Sequence, residues 1–169
     1  MFASSALFTL YHTVRFVRDL QQHLKGDARN DWRLMLRYLW NAVFWLGFVL
    51  WYAAPPVTSV ADYTGTPGAV MCVFGAAVAV AAALQVGMFS FMGSPQVPRR
   101  LQTRGVYALL RHPQAFGNMC FLIGFSMAGG ALWASLTFLA AAVLYSATVL
   151  PLEERMLREA FGEKYERYM

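Results

Sequence analysis

Residues 68–92 read GAVMCVFGAAVAVAAALQVGMFSFM, a run without a single charged side chain. As a helix rising 1.5 Å per residue it is about 37 Å long, enough to cross roughly 30 Å of hydrocarbon. A helix on a soluble core alternates an apolar stripe with a polar one, and this run has no polar face to turn toward water. Its solvent is therefore expected to be lipid.

The same reading extends outward to residues 36–54, 113–128 and 131–150. The first of these carries Trp40, Trp45, Trp51 and Tyr52 and stops at Pro55-Pro56, which cannot continue a helix. The third run is short and meets the fourth across Gly129-Gly130. The small side chains of Ala134, Ala140, Ala141 and Ala142 predict that these two helices pack as a close pair. The fold class expected is all-α, a polytopic transmembrane helical bundle of four or five spans in one domain. Residues 1–35 form an N-terminal amphipathic segment, 36–92 the first two spans, and 93–169 a loop, a helical hairpin and a C-terminal amphipathic helix. Composition agrees: 58% of the 169 residues are hydrophobic and 14% charged, against about 25% charged in a soluble domain. No secretory leader is read at Met1.

Charge predicts the topology. All fourteen Lys and Arg residues lie between Arg15 and Arg37, between Arg99 and Arg111, or between Arg155 and Arg167. Residues 55–67 and 129–130 contain none. Basic residues stay on the cytoplasmic side, so an integral membrane protein with a cytoplasmic C-terminus is expected, in the inner or plasma membrane if its source is prokaryotic. Near the N-terminus Leu7, Leu10, Tyr11, Val14, Val17 and Leu24 recur at helical spacing, interrupted by Arg15, Arg18 and Asp19. Either an interfacial helix or a short fifth span fits. The net charge of +5 lies beside hydrophobic runs with no nucleic-acid reading motif, so membrane lipids are the expected partners and nucleic acid is not. Cys72 and Cys120 fall in apolar runs without metal-ligand spacing, and no metal site is expected.

Two polar segments exceed what a simple bundle needs. The first spans residues 93–118 and contains Gly105, Val106, Tyr107, Arg111, His112, Pro113 and Gln114. Pro113 suits the opening turn of a helix, which puts Arg111 and His112 at an N-terminus whose free N–H groups attract anions. Arg111 either meets such an anion or snorkels to headgroups, and His112 either joins it or caps the helix. The second segment begins at Pro151 and places Glu153 and Glu154 directly after an apolar span, where an unpaired carboxylate is costly. They are either partnered by something cationic or form an acidic first turn paired with Arg155 and Arg158. Gln85 and Asn118, the polar groups inside the spans, fit helix packing better than a substrate path.

The order Gly105-x-Tyr107-x-x-x-Arg111-His112-Pro113, a hydrophobic hairpin, then Glu153-Glu154-x-x-Leu157-x-x-x-Phe161-Gly162-x-x-Tyr165-x-x-Tyr168 resembles the isoprenylcysteine carboxyl methyltransferase and phospholipid methyltransferase superfamily. The likeness covers the C-terminal two-fifths of the chain. It departs from the family pattern at Ala115, where an aromatic residue is usual, with Phe116 one place later. The resemblance implies an integral membrane methyltransferase that folds these segments over S-adenosyl-L-methionine at the cytoplasmic ends of its helices. A lipophilic small molecule or lipid enters as the methyl acceptor. It further implies that Tyr107, Arg111, His112, Pro113, Gln114, Glu153 and Glu154 line the cofactor pocket, with the backbone of Gly105 and Val106 close by. Arg111, His112 and Glu154 are the candidates for the chemistry: Arg111 to orient carboxylates, His112 or Glu154 as base for a neutral amine or thiol.

Two other readings fit parts of the pattern. The Arg111-His112-Pro113-Gln114 run also resembles the haem-associated NnrU-type isomerases and, more remotely, NADPH-dependent membrane sterol reductases. A non-enzymatic membrane scaffold would use the tail as an interfacial helix alone.

Overall fold

The computed structural model describes residues 32–86 and 100–169, and these contain helices and turns but no strand. Helix α1 spans Trp32–Ala53. Its last backbone bond runs from the Ala54 N–H to the Leu50 carbonyl (2.9 Å), and Pro55-Pro56 then end it as expected. Residues 36–169 make up one unit of the chain. The N-terminal amphipathic segment up to residue 31, and the stretch 87–99 that includes the end of the expected second span, lie outside the described residues.

Helix α2 spans Thr58–Val86 and has Pro67 in its interior. The sequence reading made residues 55–67 a connection, and this is corrected: the turn between α1 and α2 is confined to residues 54–57. Proline withholds one N–H from the helix, an omission that neighbouring helices and hydroxyls make tolerable in lipid. Here Thr64 donates its hydroxyl to the Met127 carbonyl (3.0 Å), tying the first turns of α2 to the next helix.

Helix α3 spans Pro113–Ala128, and helix α4 spans Leu132–Phe161 with Pro151 inside it. The expected break at Pro151 does not occur, so the fourth apolar run and the acidic start of the tail form one continuous helix. A four-residue helix α5, Glu163–Glu166, follows. Between α4 and α5, Gly162 adopts φ 53° and ψ −131°, a conformation open to glycine alone. It reverses the chain and sends the tail back toward the start of α3.

The expected α3–α4 hairpin packs as a pair, but the closer contact is that of α2 with α3. Glycines set the contact. A Cβ on Gly75 would press on the Phe121 N–H and lie 2.6 Å from the Gly117 carbonyl, and one on Gly117 would lie 2.6 Å from the Ala79 N–H. Gly68 and Gly124 repeat the arrangement one heptad away. Without side chains between them the two backbones touch, the usual means of close approach in lipid. Helix α4 joins α3 through Ser135, whose hydroxyl lies 2.9 Å from that of Ser126; Ser126 in turn donates to the Ile123 carbonyl (2.9 Å). Helix α1 packs on α4 through Phe44 and Phe48 around the buried Phe138, and through Trp40 against Tyr145.

The apolar side chains are distributed in the reverse of a soluble protein. Those buried are mainly small, such as Ala79, Ala82, Ala134 and Ala141, whereas Val70, Val73, Leu84, Trp133, Leu139 and Val143 face outward. An apolar surface of this extent needs lipid or a partner to cover it. Ala61–Val86 and Leu132–Phe161 are long and apolar enough to cross a bilayer. The turns at 54–57 and 129–131 sit together, joined by a bond from the Val57 N–H to the Gly130 carbonyl (3.0 Å). The Arg111-His112 segment and the twin glutamates occupy the opposite end.

Candidate active site

The site begins with a short 3-10 turn, Gly105–Ala108. Gly105 holds φ 63°, and the side-chain amide of Gln85, from the end of α2, rests on the face where a Cβ would be. Gln102 donates to the same amide (Nε2 to Oε1, 3.5 Å). Gln85 therefore packs helix against loop, and its amide occupies the space beside Gly105.

His112 is the N-cap residue of α3 and Pro113 its first helical residue, fully buried. The imidazole makes no capping bond and turns instead toward α4. Nδ1 lies 3.4 Å from Glu153 Oε2, and Nε2 lies 3.6 Å from Glu154 Oε1. The second distance exceeds a hydrogen bond, so Nε2 is buried without a hydrogen-bond partner. Arg111 reaches the same Glu154 oxygen from its Nη1 (3.2 Å), with its side chain half exposed. The structure thus brings Arg111, His112, Glu153 and Glu154 together from two helices. An acidic first turn paired only along its own helix does not describe the glutamates.

Three tyrosines close the group. Tyr168 donates its phenol to the Tyr107 carbonyl, which docks the tail on the 3-10 turn. Burial, reinforced by the neighbouring Tyr168 and Glu153, pushes the Tyr107 phenol up to about 12. Tyr165 is buried with no hydrogen-bond partner for its hydroxyl. Burial raises it first, Glu154 adds to the rise, and Arg111 opposes it. Tyr168 is raised by burial and lowered in part by Arg111. Glu153 has a further partner: Tyr145, inside α4, donates to its Oε1 (2.9 Å).

Of the residues expected at the site, Tyr107, Arg111, His112, Glu153 and Glu154 converge. Val106 and Gln114 lie in the adjoining turn and first helical turn. Tyr145 was missed because the helix was ended at Pro151. Continued through the proline, α4 carries a phenol upstream of the glutamates, which is the signal that would have found it. Tyr165 and Tyr168 stood in the quoted motif without a role, and their return to the site depends on the reversal at Gly162.

Helices with outward apolar surfaces, carrying an Arg-His-Glu-Glu cluster at one end, are the features of a membrane protein with a polar centre. The sequence model described as Phospholipid methyltransferase matches residues 63–164, well over half of the chain, and the chain belongs to that family of methyltransferases. The match takes in nearly all of α2, which lies ahead of the C-terminal two-fifths that carried the resemblance. No curated protein and no solved structure matches the chain.

Proposed function

We propose that this protein is an integral membrane enzyme that transfers the methyl group of S-adenosyl-L-methionine to a lipophilic or membrane-delivered thiol, carboxylate or amine. The observation that carries the reading is the meeting of Arg111 and His112, at the start of α3, with Glu153 and Glu154 of α4, over 3.2–3.6 Å. In this reading the bundle has four spans, α1 to α4, within a single membrane domain whose residues 93–169 bind the cofactor. The basic end of the helices, with the C-terminus, faces the cytoplasm.

The residues present fit the cofactor. Its methionyl group is zwitterionic and its ribose offers hydroxyls, and the cluster supplies carboxylates, a guanidinium and the unpartnered hydroxyl of buried Tyr165. Glu153 and Glu154 accept from ammonium or hydroxyl groups, and Arg111 holds a carboxylate. Val106, Tyr107, Pro113 and Gln114 shape the walls, with the backbone of Gly105 close by and backed by Gln85. When bound, S-adenosyl-L-methionine supplies an electrophilic methyl on a sulfonium, so no protein nucleophile is needed. Tyr107, Tyr165 and Tyr168 cover one side of the cluster, and a bound ligand would cover the rest. A site of low dielectric favours the dispersal of charge when an anionic acceptor meets a cation. For a neutral acceptor, His112 or Glu154 takes the proton.

The test is calorimetric titration of the detergent-purified protein with S-adenosyl-L-methionine and with S-adenosylhomocysteine, comparing wild type with His112→Ala. Saturable binding by the wild type, weakened in the variant, is expected. Absence of binding to the wild type, or a haem Soret band in the purified protein, would overturn the reading.

A further inference from the structure

Tyr145 connects three helices. Its hydroxyl donates to Glu153 Oε1 at 2.9 Å, and the other oxygen of that carboxylate, Oε2, lies 3.4 Å from His112 Nδ1 on α3. Its ring lies against Trp40 of α1, with centroids 5.0 Å apart. A glutamate ends in a soft torsion, so its two oxygens exchange places unless a donor fixes one of them. A phenol among apolar helices needs an acceptor, and a carboxylate at the edge of hydrocarbon needs donors. Each group here answers the need of the other. Both stand on the same unbroken helix, so their spacing is set by backbone and withstands movement of a loop. Trp40, which backs the Tyr145 ring, lies outside the residues matched to the family.

We propose that Tyr145 is a positioning residue of the site: its hydroxyl orients Glu153 so that the carboxylate and the His112 imidazole present one fixed polar surface to the ligand. The proposal rests on the S-adenosylmethionine-binding reading above. Tyr145 itself does not touch the ligand. It acts by limiting how Glu153 turns, which lowers the ordering that binding must impose.

The experiment is a double-mutant cycle read by S-adenosylhomocysteine titration of the full-length protein in detergent, with Tyr145→Phe, Glu153→Gln and the pair. Phenylalanine keeps the ring against Trp40 and removes only the hydroxyl. Tyr145→Phe is expected to weaken binding roughly tenfold, the scale of one hydrogen bond to a charged group. In the Glu153→Gln background the same change should have little further effect, because the group it orients has already lost its charge. The thermal midpoints of the ligand-free proteins serve as a second measurement: Tyr145→Phe is expected to unfold in one cooperative transition slightly below the wild type, as the loss of one hydrogen bond requires. A tenfold loss that persists in the Glu153→Gln background, or wild-type affinity in Tyr145→Phe, overturns the positioning role and leaves the binding reading standing. A wild type that binds nothing overturns both.

Discussion

The phenol of Tyr168 donates to the main-chain carbonyl of Tyr107, so the end of the chain is fastened to the turn that precedes α3. One hydrogen bond of this kind is worth about 1 kcal/mol, a several-fold change in the population of an opened tail. Tyr168→Phe is expected to raise the rate at which trypsin cuts after Arg158 or Lys164 by roughly fivefold. An unchanged cleavage rate would mean that other contacts hold the tail.

The Tyr107 phenol gives a dependence on alkaline pH. Its folded value stands near 12 against an ordinary value of 10.0, so the unfolded chain releases this proton first as pH rises. The contribution to stability is complete below pH 10.0 and is lost between there and about 12. Thermal midpoints measured across that window should fall for the wild type and fall less for Tyr107→Phe. The variant keeps some slope, because Tyr165 and Tyr168 are raised as well. A slope identical to that of the wild type would place the Tyr107 phenol in water.

Contact between the backbones of α2 and α3 predicts a sharp difference between two glycines on one helix. A Cβ at Gly75 meets main-chain atoms of Phe121 and Gly117, whereas one at Gly65 meets nothing within 4 Å. Gly75→Ala forces two helices apart and should destabilise the protein by about 1–3 kcal/mol, the range for overpacking. Gly65→Ala should be neutral or slightly stabilising. Detergent thermal-shift measurements on the two variants decide the matter, and equal midpoints would contradict the close approach.

The proposed topology puts the turn at Gly129 and the tail at Arg167 on opposite sides of the membrane. In a background of Cys72→Ala and Cys120→Ala, Gly129→Cys should react with a membrane-impermeant maleimide in intact cells. Arg167→Cys should react only after permeabilisation. Labelling of both from one side would refute the four-span arrangement.

Much of this architecture was readable from local chemistry. Pro113 and Gly129-Gly130 bound α3 at the residues expected, because a proline at the first helical position and a glycine pair after the last are backbone signals that tertiary packing does not override. The Arg111-His112 and Glu153-Glu154 segments were singled out because charge beside hydrocarbon demands a partner. What misled was proline inside the spans. Pro67 and Pro151 read as helix breaks, yet both helices continue through them, as proline-containing helices can where lipid offers an opened backbone no alternative partner. The expected packing of α3 on α4 is present, through Ser126 and Ser135, but the tighter contact of α2 with α3 was not read. Alanines of α4 drew attention, while Gly68 and Gly75, facing Gly117 and Gly124, permit the closer contact. That recurrence at seven residues becomes informative only once the two helices are known to be antiparallel neighbours.

Because α4 does not stop at Pro151, the serine bonded to Ser126 near one end and the glutamate pair near the other are carried by a single rod. Pro151 offers no N–H to the Ala147 carbonyl, which leaves that rod with one weakened rung just ahead of Glu153. The Tyr145 hydroxyl lies before that rung and the Glu153 carboxylate after it, so their hydrogen bond braces the helix across the gap.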